Sequence, residues 1–272
     1  MSYTKRFRVG PDQPVRLSKI DPDYTGGHES KAQALPEIDH YAQRLRELQY
    51  LLYAEHRRSL LICLQAMDAG GKDGTIRHVL GYMNPQGCRV QPFKVPTAEE
   101  AAHDFLWRTH KATPGQGEVV IFNRSHYEDV LVVRVHELVP KKVWSRRYEA
   151  INRFEAHLAG NGTHILKFFL HISKEEQLKR FRRRLEDPAR QWKISEADYK
   201  ERAYWDDYQA AYEDALNRCS TEQAPWYVIP ANHKWFRNLA ISRIVVDLLE
   251  GLDMHFPEPQ VDIEALRQKY FS

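Results

Sequence analysis

A lysine that follows two glycines, directly after an apolar run, is the pattern in this chain with the clearest chemical use. Residues 60–75 read LLICLQAMDAGGKDGT. This layout predicts a buried strand, a tight turn and a helix whose first backbone amides can bind a phosphate. The stretch departs twice from the G-x-x-x-x-G-K-[ST] template, because Ala66 replaces the first glycine and Asp73 replaces the Ser or Thr that would contact magnesium. Gly71 and Lys72 fit the template.

The loop is therefore a candidate phosphate-binding site, and Asp68 adds a carboxylate that the template does not require. The alternative is a glycine-rich turn without a function. The apolar strand before the loop and the lysine within it make that alternative the weaker one. The loop candidates for phosphate binding are Ala69, Gly70, Gly71, Lys72, Asp73, Gly74 and Thr75.

A second group of polar residues follows a later apolar run, in the stretch VVIFNRSHYEDVLVVRVHE. Ligands of open α/β sheets bind beyond the carboxyl ends of the strands, so this group is expected on the same side as the glycine-rich loop. Arg124 could bind phosphate oxygens bidentately, and Glu128 or Asp129 could hold a metal or order a nucleotide. Alternatively, Asn123 caps a helix and Arg124 pairs with an acid. The candidates for nucleotide binding are Asn123, Tyr127 and Glu128.

The net charge of +3 is small, but it is unevenly distributed along the chain. Residues 179–193, KRFRRRLEDPARQWK, contain seven Lys or Arg and two acids, which is a local charge of +5. The rest of the chain therefore sums to −2. A concentrated basic segment on a nearly neutral body indicates a specific polyanionic ligand rather than general binding to acidic surfaces.

The basic segment begins in a helix predicted over 173–186, which Pro188 interrupts before a second helix. Nucleoside and nucleotide kinases carry a mobile lid of this kind, in which arginines close over phosphates and exclude water. We therefore predict a lid at about 180–200. The alternative is a solvated basic helix face, which the proline break and Trp192 disfavour. The arginines predicted to lie away from the apolar face (Leu178, Phe181 and Leu185) are Arg180, Arg183 and Arg184.

The composition favours a globular enzyme. The chain has 272 residues, 42% of them hydrophobic and 28% charged, which is enough for one large domain with a sizeable core. No apolar stretch approaches the roughly 18 residues that a membrane-spanning helix needs, and the N-terminus lacks the apolar centre of a signal peptide. Neither the three cysteines nor the thirteen histidines have the spacing of a zinc site. We expect a cytoplasmic protein with reduced thiols.

Strand-like and helix-like segments alternate along the chain, which predicts an α/β fold with a five-stranded parallel sheet covered by helices on both faces. One domain over 1–272 accounts for all of them, with an irregular arm at 1–30. Capping boxes are predicted at Thr97-Glu100 and Ser173-Glu176. The predicted strands are 59–66, 88–93, 118–122, 163–172 and 226–229. The predicted helices are 35–52, 75–83, 97–110, 140–158, 173–186, 198–217 and 239–249.

Taken together, these motifs resemble those of the polyphosphate kinase 2 family, whose members move a phosphoryl group between inorganic polyphosphate and a nucleotide. The matching stretches are AMDAGGKDGT, IFNRSHYEDVLVVRV, LEDPARQWKIS and APWYVIPANHKWFRN. Their combination in this order is specific, and the resemblance covers nearly the whole chain. It implies a P-loop kinase-like three-layer sandwich with a helical lid, and a homo-oligomer, either a dimer or a tetramer. The departures from the phosphate-loop template are also those of the family.

The resemblance also implies roles for individual residues. Asp68 looks like the loop acid tied to Mg²⁺, and Lys72 like the lysine that grips phosphate. Arg124 matches the arginine after the second motif's strand. The pair Asn123 and Glu128 resembles the subgroup that accepts both nucleoside monophosphates and diphosphates. The lid cations expected to meet the polymer are Arg183, Arg184 and Lys193, of which Arg184 approximately matches a lid arginine of the family.

The expected reaction is a reversible phosphoryl transfer from polyphosphate to AMP and ADP, giving ADP and ATP. The expected partners are polyphosphate and adenine nucleotides, with neither nucleic acid nor a membrane. One alternative is an ATP-dependent nucleoside monophosphate kinase of the thymidylate kinase type, which shares the phosphate loop, the arginine and the lid. The other is a non-catalytic module that binds polyphosphate or nucleic acid, which the presence of Lys72 and Asp68 disfavours.

Overall fold

Five parallel strands form the centre of the structure, a computed structural model that describes residues 2–10 and 14–271. The strands are β1 (Ser59–Ala66), β2 (Cys88–Pro92), β3 (Val119–Asn123), β4 (Thr163–His171) and β5 (Trp226–Pro230). They pair in the order β2-β3-β1-β4-β5, which places β1 in the middle. The predicted α/β fold with a five-stranded parallel sheet is confirmed.

Helices connect the strands and cover the sheet. The longer helices of the described part are α2 (Lys31–Glu55), α3 (Lys72–Leu80), α7 (Lys141–Gly160), α8 (Lys174–Glu186), α10 (Trp205–Cys219), α11 (Lys234–Glu250) and α12 (Ile263–Phe271). The shorter ones are α1 (Tyr3–Phe7), α4 (Ala98–Ala101), α5 (Trp107–His110), α6 (Val132–Val135) and α9 (Glu196–Glu201). The 3₁₀ turns are Leu17–Lys19, Pro85–Gly87, His126–Val130, Pro188–Lys193 and Arg202–Tyr204. No helix of the described residues is both long and apolar enough to cross a bilayer.

Strand β1 is buried along its whole length because it has neighbours on both edges and helices on both faces. Leu61, for example, lies opposite Val120 of β3 and Ile165 of β4. This explains why its sequence is a continuous apolar run rather than an alternating one. The glycine-rich loop therefore starts from the most constrained strand of the fold.

The predicted strand boundaries agree with the structure to within one residue. The helix predicted over 97–110 is wrong, because α4 and α5 replace it. The capping box of α4 forms as predicted, with Thr97 and Glu100 each accepting from the other's backbone N–H. The helix ends early because the Asp104 carboxylate accepts a hydrogen bond from the N–H of Leu106, at 2.9 Å, and so offers the backbone a turn instead.

The second predicted capping box is only half formed. The Ser173 hydroxyl accepts from the N–H of Glu176 at 3.1 Å. The Glu176 carboxylate does not return to the N-cap, because it accepts a hydrogen bond from Arg180 Nε at 2.8 Å. The Ser173 hydroxyl therefore caps helix α8 without the reciprocal bond of a capping box. The Glu176 carboxylate binds Arg180, one turn later in the helix.

The predicted irregular arm at 1–30 is more ordered than its composition indicates, although residues 1 and 11–13 lie outside the described part. Helix α1 buries Tyr3 and Phe7 against the ring of Phe236. The N–H of Val9 then donates to the carbonyl of Trp226 at 2.9 Å, beside the edge strand β5. Two aromatic side chains in a polar segment are enough to fix it to the core.

A buried ion pair lies under the turn His126–Val130. Glu155 of α7 and Lys167 of β4 are fully buried, and Lys167 Nζ donates to both Glu155 Oε2 and the Tyr127 hydroxyl. Glu155 Oε1 also accepts from the Tyr127 hydroxyl and contacts His126 Nε2. Burial alone raises the pKa of the Glu155 carboxyl, but Lys167 and His126 outweigh it and hold the pKa below its usual value. The network fixes the turn that follows β3.

Replacing Lys167 tests the importance of this pair for stability. Lys167→Met should lower the free energy of unfolding by about 3 to 5 kcal/mol, because it leaves the Glu155 carboxylate buried without a cation. Urea denaturation measures the loss. The double variant Lys167→Met with Glu155→Leu buries no charge and should recover most of it. Equal losses in the single and double variants would assign the effect to packing instead.

Candidate active site

The glycine-rich loop joins β1 to α3 and bends sharply twice. Ala69 and Gly71 adopt left-handed backbone conformations, with φ of 58° and 108°. At Gly70 a Cβ would lie only 2.4 Å from the Cβ of Ala66, so this position has no room for a side chain. The loop therefore turns the chain back so that α3 begins at Lys72 with its first amides exposed to an anion.

Arg180 of α8 binds the backbone carbonyl groups of this loop. Its side chain is 5% exposed, although the helical pattern predicted that it lies away from the buried face. That prediction is wrong. Of the three residues on the predicted apolar face, only Phe181 is buried, whereas Leu178 and Leu185 are about half exposed. The guanidinium uses Nε, Nη1 and Nη2 to bind Glu176, the carbonyls of Ala69 and Gly70 at 2.9 and 3.0 Å, and the carbonyls of Ala231 and Asn232.

Lys72 is half-buried at the start of α3, and its Nζ lies 3.2 Å from the carbonyl oxygen of Ala66. Burial and then the nearby Arg124 lower the pKa of Lys72, while Asp68 and Glu128 oppose the shift. An additional anion at this position would therefore stabilise the charged form of Lys72. This is the position in which a phosphate-binding lysine is expected.

Arg124 follows β3 and reaches the loop. Its Nη2 lies 3.2 Å from Asp68 Oδ1, and its Nη1 lies 3.2 Å from Glu128 Oε2. The backbone of Arg124 is left-handed, with φ of 63°, and its N–H donates to the carbonyl of Leu64 in β1. The Glu128 carboxylate, more than Asp68, raises the pKa of Arg124 above its usual value. The structure therefore brings Asp68, Lys72, Arg124 and Glu128 together.

The turn Pro188–Lys193, which lies in the predicted lid, contacts the same loop. Lys193 Nζ lies 2.9 Å from one oxygen of Asp73, and the Asn123 amide donates to the other oxygen at 3.2 Å. The hydrogen bond from Lys193 is the main reason why the pKa of Asp73 is below its usual value. Asn123 does not cap a helix, since Ser125 accepts from the first turn after it. Asp73, which replaces a metal-binding hydroxyl in the template, thus links the loop to the lid.

Two predicted site residues lie elsewhere. The Tyr127 side chain is fully buried and its hydroxyl belongs to the Glu155 network, so it does not line the cavity in which it was predicted to bind a nucleotide. Thr75 is 1% exposed, and its hydroxyl donates to the carbonyl of Gly71 at 3.3 Å. Both side chains support the site from the core rather than reaching it.

Apart from Glu128, which reaches the site only through its ion pair with Arg124, the remaining candidates line one open cavity of about 820 Å³. Ten of its lining side chains are Lys or Arg and three are Asp, so its potential is strongly positive. Arg184 pairs with Asp198 at 3.0 Å, whereas Arg183 is mostly exposed. Sequence reasoning missed four of the lining cations, although two of them stand in the quoted stretch APWYVIPANHKWFRN. The missed cations are Arg77, Arg190, Lys234 and Arg237.

The family model described as polyphosphate kinase 2 (PPK2) matches residues 28–257. The chain belongs to the polyphosphate kinase 2 family. A crystal structure of polyphosphate kinase 2 from Arthrobacter aurescens TC1 superposes with a TM-score of 0.95 and 45% sequence identity, covering 99% of this chain and 96% of that one. The resemblance inferred from the four sequence stretches, and the P-loop kinase-like fold that it implies, are confirmed.

Two curated relatives are similar over almost their full length. An AMP/ADP-polyphosphate phosphotransferase from Meiothermus ruber is 54% identical over 263 residues, covering 96% of this chain and 98% of the relative. An ADP-polyphosphate phosphotransferase from Rhodopseudomonas palustris is 48% identical, covering 94% of this chain and 92% of the relative. Membership of the polyphosphate kinase 2 family therefore rests on the whole chain and not on the loop alone.

The closeness of Gly71 to Arg237 predicts that a methyl group added at Gly71 destabilises this polyphosphate kinase 2 member. A Cβ at Gly71 would lie 2.0 Å from Arg237 Nη1, in addition to the left-handed strain. Gly27 is the matched control, because its φ is +92° and a Cβ there would meet nothing within 4 Å. Gly71→Ala should cost more unfolding free energy than Gly27→Ala, which has only the strain, because the end of the Arg237 side chain has to shift to make room for the methyl group. Equal losses in urea denaturation would contradict the contact.

Proposed function

We propose that this protein transfers a phosphoryl group from inorganic polyphosphate to AMP and to ADP, forming ADP and ATP, in a reversible reaction. The observation that carries the proposal is the excess of Lys and Arg around the phosphate loop and under the lid. A polymer of identical phosphates offers only repeated negative charge, and an array of cations is the surface that recognises it. The names of the two curated relatives support the same donor and acceptors.

Phosphoryl transfer requires positioning and charge neutralisation more than covalent chemistry by the protein. Lys72 and the first amides of α3 bind the phosphate at the transfer point. Arg124, on the other side of Asp68, stabilises the charge that moves between donor and acceptor oxygens. The lid cations Arg183, Arg184 and Lys193 bind the polymer and exclude water as the lid closes.

Mg²⁺ is the proposed metal, with Asp68 as its protein ligand. Arg124 contacts Asp68 Oδ1, and no hydrogen bond within the described residues involves Oδ2. The described part of the chain contains no group of three or more side chains suited to bind a metal. This fits Mg²⁺, which is commonly held by one or two carboxylates together with substrate phosphates. When bound, the ion would neutralise charge between the donor and acceptor phosphates.

Acceptance of both nucleotides is proposed from Asn123 and Glu128. Two successive transfers at one site require that AMP and ADP each place a terminal phosphate beside Lys72. The neutral amide of Asn123 adds no negative charge there, and Glu128 is already paired with Arg124. Tyr127 contributes only by fixing the turn that carries Glu128. A homo-oligomer, implied by the family resemblance, stays a prediction.

A donor assay tests the function and separates it from ATP-dependent nucleotide kinases. The purified protein should make ATP from ADP, and ADP and ATP from AMP, with polyphosphate as the only donor. Lys72→Ala and Asp68→Ala should each lose most turnover while remaining folded. Asp68→Ala removes the proposed Mg²⁺ ligand. Lys72→Ala removes a charge-assisted bond to phosphate, which is worth roughly 1.5 to 3 kcal/mol. A loss of that size in the transition state corresponds to roughly 10- to 100-fold in rate. Wild-type rates in either folded variant would remove that residue from the proposed site.

Asn123→Asp tests the basis for the two acceptors. The new carboxylate would lie beside the Asp73 carboxylate, where the Asn123 amide now donates a hydrogen bond at 3.2 Å, and the two negative charges would repel each other. It would also compete with Asp73 for the ammonium group of Lys193. We expect AMP phosphorylation to fall more than ADP phosphorylation, with the ratio of the two kcat/KM values as the measurement. Asn123→Ser also removes the amide but adds no charge near the loop, and it should change this ratio less. If the wild-type protein phosphorylates ADP but not AMP at saturating concentration, the prediction that it accepts both nucleotides is wrong.

A further inference from the structure

The stretch APWYVIPANHKWFRN has no role in the function proposed above, although its end faces the same cavity. It forms β5 and the first turn of α11, and Lys234 and Arg237 line the cavity beside the phosphate loop. The N-terminus of α11 carries no side-chain cap, since His233 makes no such hydrogen bond. Two helix N-termini, those of α3 and α11, are therefore directed at one cavity, and both favour anions.

Arg237 is an unusual component of this surface because it is buried without a counter-ion. Its side chain is 2% exposed. Nε and Nη2 bind the neutral amide oxygen of Asn238, while Nη1 has no hydrogen-bond acceptor and the guanidinium has no carboxylate within 4 Å among the described residues. Burial, with a further contribution from Arg180, lowers the pKa of Arg237 to about 9. A buried cation with a free N–H group facing a cavity calls for an anionic ligand.

Lys234, at the mouth of the cavity, likewise lies among cations and pairs with no acid among the described residues. Its pKa is lowered by burial and by four nearby cations, which are Arg180, Arg190, Arg183 and Arg237. The acidic groups that neutralise cations elsewhere in the site do not offset this repulsion. Cations held together in this way are stabilised when a phosphate lies between them.

The order of the strands indicates which phosphate that is. Arg124 and Asn123 follow β3, which lies on one side of β1, whereas Lys234 and Arg237 follow β5, on the other side beyond β4. The phosphate loop after β1 lies between the two groups. An in-line transfer places the donor and the acceptor on opposite sides of the transferred phosphate. With the acceptor on the side of β3, the cations after β5 lie on the donor's side.

We propose that Lys234, Arg237 and the first amides of α11 form a second phosphate site, which binds an internal phosphate of the polyphosphate donor while its terminal phosphate lies at Lys72. The proposal rests on the proposed function. Arg237 lies against Gly71 and Gly74 of the loop, so its guanidinium connects the two phosphate sites. Binding at α11 orients the polymer so that its end points at the acceptor.

Kinetics with donors of different length test this site. Lys234→Ala removes an exposed side chain and should raise KM for long-chain polyphosphate roughly tenfold, the size expected for one charge-assisted hydrogen bond. KM for ADP should change less than about twofold, and the slope of log KM against log salt should fall by about one. The increase in KM should be smaller with tripolyphosphate, which has few internal phosphates. Lys179→Ala, an exposed lysine of α8 outside the cavity, is the matched control and should leave each KM unchanged.

Thermal unfolding gives a second readout that does not depend on turnover. Arg237→Met removes an unpaired buried charge, so the free protein should keep or gain thermal stability, and the rise in Tm on adding polyphosphate should shrink. A lower Tm with an unchanged polyphosphate shift would show that Arg237 serves only the fold. If Arg237→Met does not fold, the kinetics of Lys234→Ala still decide the proposal.

The outcomes separate this site from the overall function. If Lys234→Ala raised KM for ADP and not for polyphosphate, the site would bind the acceptor, and the proposal would be wrong. If neither KM changed, α11 would bind no substrate phosphate. A wild-type protein with no polyphosphate-dependent turnover would overturn the proposed function instead. In that case, titration calorimetry of polyphosphate into the wild type and Lys234→Ala would still test whether α11 binds the polymer.

Discussion

The hydrogen bonds of Arg180 fix the loop on which the whole site depends. One guanidinium from α8 binds two carbonyl groups of the loop after β1 and two carbonyl groups after β5. Because the C=O and N–H groups of a trans peptide point in opposite directions, binding of the Gly70 carbonyl directs the N–H of Gly71 away from Arg180, where an anion can reach it. The same contact ties helix α8, from which the predicted lid starts, to the phosphate loop.

This arrangement leaves a large amount of positive charge incompletely neutralised. Lys72, Lys234 and Arg237 each have a lowered pKa, with burial as the main cause in all three. The charges of Lys72 and Arg237 reduce the stability of the free protein, since each side chain is at least partly removed from water without a full set of partners. A polyanionic ligand supplies the missing charge, so binding and stability are coupled in this fold. The preorganised cations are then in place for transfer without rearrangement.

The turn Pro188–Lys193, in the predicted lid, is connected to the loop by a small number of polar contacts. Lys193 binds Asp73, Asp73 accepts from Asn123, and Asn123 stands at the end of β3 beside Arg124. The Lys193–Asp73 ion pair is solvent-exposed, and such pairs contribute only about 0 to 1 kcal/mol. This ion pair is therefore a weak link between the turn and the loop. The acid that replaces the template's hydroxyl at position 73 has a structural use in this contact.

The sequence by itself determined the order of the elements, the phosphate loop and the family. Continuous apolar runs, such as that of β1, predict buried parallel strands, and a loop such as 66–73 is coded by adjacent residues. The helical pattern failed at Arg180, because a periodic pattern cannot show that an arginine is buried when four backbone carbonyls from distant loops satisfy it. The sequence likewise could not show that Tyr127 is buried, because the partners of its hydroxyl, Glu155 and Lys167, are distant in the chain. Tyr127 was therefore predicted to bind the nucleotide. Only the tertiary structure placed Arg237 behind Gly71, because that contact joins segments more than 160 residues apart in the chain.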